Sequence, residues 1–414
     1  MGSYIERQLM SYCLDPELSG RRMIWIAGPR QAGKTFLAKE HLRHHRCERL
    51  YYNWDDPVIR RLYLRDPVWF ESAARQLTAE RPWIVFDEIH KRPRWRDILK
   101  GAYDRFRDDF RFMVTGSARL ELFRKGGDSL AGRYSLFHLA PLNLREVSGR
   151  VHSPLLADPS IPAKAMHELL QGGAVRAADY LALRDFPPFP EPFLLQSQRG
   201  SEKWRQDYLE LITREDLRDL TRVREVERVQ QLIWLLPERV GSPLSMPDLG
   251  RLIEAAHTTI KSWLEELRKL YVVFPLLPWS RRIGRALRRE RKWYLTDHSL
   301  LQDPGPRFEN LVACHLSRAA TAWSDMGLGQ HQVFYLRTLD RTEIDFVLTC
   351  NNRPWLCVEC KQSDPTPASA LTRRKVILGT PTLGIQIVEQ TGVFSRPEAD
   401  LWVVSADRFL PLLP

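Results

Sequence analysis

Over residues 1 to about 140, short apolar runs alternate with amphipathic stretches. The runs are Met23–Ala27, Arg49–Asn53, Trp83–Phe86, Phe110–Thr115 and Ser135–Ala140, with charged helical patterns between them. Strands alternating with helices predict an α/β unit built on a parallel sheet. Helices on both faces bury such a sheet, which is why Trp83-Ile84-Val85-Phe86 is apolar at every position. Pro154, Pro159, Pro162, Pro187, Pro188, Pro190 and Pro192 then interrupt the chain, so residues 149–222 are expected to be a helical connector of short pieces. Helical periodicity returns from Trp204, with Ile253, Ile260, Trp263, Leu264, Leu267 and Leu270 at helical spacings. Leu244–Leu270 reads as helix, turn, helix. The first helix starts at Pro247 and Asp248, the second at His257-Thr258-Thr259 with Thr258 as candidate N-cap. A helix over Phe308–Ala319 and short alternating strands close the chain. The expected domains are 1–148, 149–222, 223–298 and 299–414.

Composition narrows the class. At about 150 residues per domain, 414 residues suggest roughly two to three domains. With 43% hydrophobic and 27% charged residues, a disordered, collagen-like or disulfide-stapled chain is excluded. Sixty-two Lys and Arg against 51 Asp and Glu leave a net charge of +11 and a pI near 9.5. That surplus favours anionic partners such as nucleotides, nucleic acid or membrane headgroups. No stretch approaches the roughly 18 apolar residues of a membrane span. Glu6 stands where a signal peptide needs an apolar core, and the six cysteines are scattered, so a cytoplasmic location is expected.

Within the first 140 residues, candidate chemistry concentrates in three places. Gly28-Pro29-Arg30-Gln31-Ala32-Gly33-Lys34-Thr35 fits GxxxxGK[ST] between an apolar strand and a helix-compatible run. Its glycines let consecutive N–H groups face phosphate oxygens, and the following helix aims its positive end at them. Lys34 supplies a cation to the β/γ-phosphates of ATP, and the Thr35 hydroxyl suits Mg²⁺. Asp87 and Glu88 end the Trp83–Phe86 run. Asp87 is placed to complete a Mg²⁺ shell and Glu88 to polarise an attacking water. Phe112-Met113-Val114 ends in Thr115-Gly116-Ser117, whose hydroxyls are candidates to contact the γ-phosphate or the water; Ser117 is the choice.

The chain resembles prokaryotic AAA-type ATPases that carry a C-terminal domain. The resemblance rests on Tyr4-Ile5-Glu6-Arg7, the G-P-R-Q-A-G-K-T loop, D-E-I-H (Asp87–His90), S-L-A-G-R (Ser129–Arg133), P-L-N-L-R-E (Pro141–Glu146), F-P-E-P-F (Phe189–Phe193) and R-E-D-L-R-D-L (Arg214–Leu220). It implies an additional-strand P-loop sheet in which the Phe112–Ser117 strand lies between the two Walker strands. It also makes Arg133 an arginine-finger candidate, acting in cis or from a neighbouring subunit of a homo-oligomer. A salt-bridged surface arginine explains Arg133 equally well.

Arg281, Arg282, Arg285, Arg288, Arg289, Arg291 and Lys292, with the helix pair before them, suggest a winged helix with a charged wing. Such a wing would contact the phosphates of DNA, while a packing module with a solvated basic face is the alternative. Beyond it, Glu343–Leu348 and Trp355–Lys361 alternate about an Asn351-Asn352 turn, a β-hairpin pattern. A turn centred near Asn352 sets Asp345 opposite Glu359, with Lys361 on the same face. Two carboxylates and a lysine could hold Mg²⁺ and water for phosphodiester hydrolysis. This D-x13-E-x-K spacing resembles the restriction-endonuclease-like PD-(D/E)xK fold, with Glu309 matching its accessory acid; Ile344 stands where that name has proline. The resemblance implies an α/β C-terminal domain. That domain is either a nuclease or a catalytically silent module binding a protein or DNA partner. Cys357 and Cys360 fall on opposite faces of a strand, which disfavours zinc or redox use.

Overall fold

A computed structural model describes residues 4–116, 130–217, 225–280, 290–338, 340 and 342–414. The chain divides into two compact units, Arg7–Ala140 and Pro141–Pro414 together with Met1–Glu6.

The first unit is a five-stranded parallel sheet made of β1 (Met23–Ala27), β2 (Tyr51–Asn53), β3 (Trp83–Asp87), β4 (Arg111–Thr115) and β5 (Tyr134–His138). Their order is β2-β3-β4-β1-β5, so β4 lies between the strand leading into the glycine-rich loop and the strand ending in Asp87. Parallel strands put all their carboxyl ends on one edge, which gathers residues distant in sequence at one rim. Every residue of β1 and β3 is buried, as expected of strands covered on both faces. Phe70, Phe86, Phe106, Phe110 and Phe112 pack edge to face and stacked against β3 and β4.

The second unit opens with helices and closes with an eight-stranded mixed sheet. Its strands are β6 (Val273–Pro278), β7 (Lys292–Leu295), β8 (His331–Arg337), β9 (Glu343–Cys350), β10 (Arg353–Lys361), β11 (Leu383–Val388), β12 (Phe394–Glu398) and β13 (Leu401–Ser405). They run in the order β12-β13-β11-β10-β9-β8-β6-β7. The helices Met246–Ile253 and His257–Lys269 precede the antiparallel β6–β7 pair. Ser245 caps the first through the Asp248 N–H. The second is capped at Ala256 without a side-chain bond, so Thr258 lies inside the helix rather than at its cap. Because β6 also pairs with β8, one sheet crosses the expected boundary at 298/299. Within the same unit, the long helix Pro304–Asp325 is tied to P-L-N-L-R-E. Arg318 forks onto both oxygens of the fully buried Glu146 at 2.6 and 2.9 Å and donates to the Pro141 carbonyl. That gives the marker a structural role as a charged clamp.

The β9–β10 hairpin turns on Asn351 and Asn352, both at positive φ (48° and 63°), with Cys350 paired to Arg353. Asparagine tolerates this conformation, and a two-residue turn of this kind matches the twist of its strands. A bulge between Pro354 and Leu356 then shifts the register by one, so that Phe346 pairs with Val358.

Candidate functional sites

At the carboxyl rim of the parallel sheet, the glycine-rich loop leaves β1 and enters the helix Lys34–His44. Gly33, at φ 96°, makes the turn that starts this helix. A Cβ on Gly28 would come within 2.1 Å of the Leu139 carbonyl oxygen, so backbone alone fits there. Lys34 is buried, its Nζ donating to the carbonyls of Gly28 (2.9 Å) and Pro29 (2.6 Å), which keeps the cation inside the loop's curve. Thr35 Oγ1 donates to Asp87 Oδ2 at 2.7 Å. Asp87 Oδ2 also accepts from the Tyr51 hydroxyl, and its Oδ1 from Thr115 Oγ1, both at 2.5 Å. The hydroxyl and carboxylate oxygens of Thr35 and Asp87 form the hard donor set that Mg²⁺ prefers, so the residues present fit that ion.

Glu88 follows at φ 55°, its N–H bonded to the Thr115 carbonyl and its carboxylate 3.4 Å from His90 Nε2. Burial, then the neighbouring Asp87 carboxylate, pushes its carboxyl above the ordinary value, against the pull of Lys34, Lys91 and Arg30. Ser117 lies outside the described residues. Arg133 precedes β5 at the amino-terminal end of the sheet, where its carbonyl accepts from Met23 N and its guanidinium forks onto Asp104. The loop occupies the other end of β1, so the fold does not bring Arg133 to it.

Two contributors escaped the sequence reading. Tyr51 reaches Asp87 from a neighbouring strand, a link that no spacing encodes. Arg7 donates to the carbonyls of Ala32 in the loop and Ala140 after β5. Its place in the Tyr4–Arg7 marker was the available signal.

In the second unit, Asp345 and Glu359 meet across the hairpin. The Asp345 N–H donates to Glu359 Oε2 at 3.3 Å, and the Cys360 N–H to Asp345 Oδ2 at 2.9 Å. Lys361 Nζ lies 3.1 Å from Glu359 Oε1. Burial first, then Glu359 and Glu309, raises the Asp345 carboxyl well above the usual range; burial likewise raises Glu359 against the pull of Lys361. Glu309, on the Pro304–Asp325 helix, accepts from the Tyr294 hydroxyl at 2.7 Å. Among the described residues no three His, Cys, Asp or Glu side chains form a ready metal cluster. Asp345 and Glu359 offer two carboxylates, a number that suits a hydrated Mg²⁺. Lys292 departs from the basic run assigned to it: only 1% exposed, it is buried beside Glu309 and Glu343. Arg291 pairs with Glu265, and residues 281–289 lie outside the described residues.

Residues 20–148 match the family model of an AAA domain, a span that holds the parallel sheet and its glycine-rich loop. Residues 188–303 match a domain of unknown function (DUF8612), and the acid pair falls outside both matched spans. The uncharacterized protein Rv2008c of Mycobacterium tuberculosis is 28% identical, over 98% of this chain and 85% of its own. The uncharacterized protein MJ1544 of Methanocaldococcus jannaschii is 23% identical, over 82% of this chain and 75% of its own. Among solved structures, the Aeropyrum pernix ORC1 protein in complex with DNA matches at 15% identity and a TM-score of 0.28, covering 70% of this chain and 86% of that one. The Bacillus subtilis DNA clamp loader delta protein matches at 10% identity and 0.26, covering 59% and 83%. Overlaps this loose carry no argument about function. No described helix is long and apolar enough to cross a membrane.

Proposed function

We propose that this protein hydrolyses ATP with Mg²⁺ in its first unit and couples that cycle to a nucleic-acid-associated, nuclease-like second unit. One observation supports the first half above others: Thr35 meets Asp87 at the mouth of a loop whose lysine is already folded inward. In this reading the loop N–H groups and Lys34 bind the phosphates, and Thr35 and Asp87 hold Mg²⁺. The bound ion would neutralise charge on the transferring phosphoryl group. Glu88 orients the attacking water and accepts its proton; a carboxyl raised toward neutrality suits that task. Arg133, placed away from its own loop, serves a neighbouring copy in a homo-oligomer. Lys34→Ala should lower ATP turnover at least ~100-fold, the scale of one lost electrostatic contact to a reacting phosphate. A clean preparation of that variant with wild-type turnover refutes the assignment.

For the second unit, the helix pair followed by the β6–β7 hairpin supports a winged-helix module that contacts DNA, as the net charge of +11 favours. The Asp345–Glu359 pair with Lys361 supports Mg²⁺-dependent phosphodiester cleavage, where Lys361 stabilises charge on the phosphate. Asp345→Ala and Lys361→Ala should each abolish cleavage of single- or double-stranded substrates assayed with and without ATP. The second reading is a nucleotide-dependent switch with a silent nuclease-like unit, favoured by the missing third metal ligand among the described residues. Wild-type protein that cuts nothing under any metal or nucleotide condition would establish that reading instead.

A further inference from the structure

The acid pair shares its surroundings with a cation that the proposed activity does not use. Lys292 is the first residue of β7. Its Nζ lies 2.5 Å from Glu343 Oε1, 3.7 Å from Glu309 Oε1 and 5.3 Å from the centre of the Tyr335 ring. Glu343 and Asp345 stand two residues apart on β9 and so share one face of the sheet, which sets this ammonium beside the acid pair. Stripping an ion of water costs several kcal/mol, so an enclosed ammonium survives only among anions that compensate it. The Glu343 and Glu309 carboxylates in contact with it supply that compensation.

The arrangement is fixed on all sides. Tyr294 donates to the same Glu309 oxygen that Lys292 approaches. Gly241 backs onto Glu309 closely enough that a Cβ there would stand 2.9 Å from Oε2. Glu309 and Glu343 thus meet one ammonium group and Glu359 another, and the two differ in freedom. Lys361 is open to solvent on one side, whereas Lys292 is enclosed.

We infer that Lys292 is a built-in counter-cation of this acidic cluster, held by Glu309 and Glu343 beside the Asp345–Glu359 pair and so setting how tightly an incoming divalent ion is held there. The inference rests on reading Asp345 and Glu359 as cation-binding acids. Its sign follows from Coulomb's law: a fixed positive charge beside Asp345 repels a doubly charged ion, and the repulsion is strong where water is scarce. Removing the ammonium while keeping its aliphatic bulk should therefore strengthen divalent binding.

The test is Mn²⁺ titration of the nucleotide-free full chain, followed by electron paramagnetic resonance. Lys292→Met should bind Mn²⁺ about tenfold more tightly than wild type, and Lys292→Met/Asp345→Asn should lose the gain. A Lys292→Met protein that melts cooperatively yet binds Mn²⁺ no more tightly than wild type overturns the inference. If that variant does not fold, Glu343→Gln carries the test. Losing this carboxylate turns the lysine's charge onto Glu309 and Asp345, so Mn²⁺ affinity should fall several-fold, and unchanged affinity overturns the idea. Nucleic-acid cleavage by the same preparations separates the two claims. Tightened Mn²⁺ binding without wild-type cleavage keeps the counter-cation and removes the nuclease, and cleavage without tightening does the reverse.

Discussion

Asp87 receives three hydroxyl donors, from Thr35, Tyr51 and Thr115, each on a different element. Such a carboxylate is held in one orientation before any ligand arrives, and this preorganisation lets a phosphate site act without rearrangement. Glu88 stands beside it with a carboxyl raised by burial and by Asp87. Only the ionised form accepts a proton from water, so turnover should climb as pH rises through that raised pKa and level off above it. The acidic limb of the pH–rate profile should lie above where an ordinary glutamate would put it. Glu88→Gln should remove this limb and lower kcat by roughly 10²- to 10⁴-fold, the usual worth of a positioned base, while ATP still binds. A variant that keeps both the limb and the rate would assign the base elsewhere. At this scale the sequence was most legible where chemistry demands contiguous residues, as in Gly28–Thr35 and Asp87-Glu88. It was least legible where partners come from separate strands, as Tyr51 and Lys292 do.

Periodicity located the elements well because burial imposes it. The Met23–Ala27 run became β1 with identical ends, and β3 extended its run by one residue to Asp87. The hairpin turned where two asparagines adopt positive φ. The bulge after Pro354, unmarked in the sequence, restored the register that sets Asp345 against Glu359. A β-branched residue at Asn351 cannot take positive φ without strain of about 1–3 kcal/mol. Asn351→Val should therefore lower the melting temperature by several degrees; an unchanged transition would show that the turn does not control the hairpin. Thr258 illustrates the opposite case. It looked like a cap, but the cap falls two residues earlier, at Ala256, because helix ends depend on local hydrogen bonding that residue type alone does not fix.

For the molecule as a whole, the AAA-domain match over residues 20–148 covers the G-P-R-Q-A-G-K-T, D-E-I-H, S-L-A-G-R and P-L-N-L-R-E markers, while the remaining markers and the nuclease-like hairpin lie outside it. The β2-β3-β4-β1-β5 order places the strand ending in Thr115 between the strand that leads into the Lys34 loop and the strand ending in Asp87. The eight-stranded sheet was beyond sequence reading because its β6–β8 pairing joins Leu277 to Phe334, far apart along the chain, with no periodic signal. Everything proposed for the first unit requires that it grip a nucleoside triphosphate through its loop. Isothermal titration calorimetry of the full chain with ATP and Mg²⁺ tests this most directly. Uptake should saturate at one site per chain and be abolished in Lys34→Ala; no uptake by folded wild-type protein, or equal uptake by the variant, would overturn the assignment.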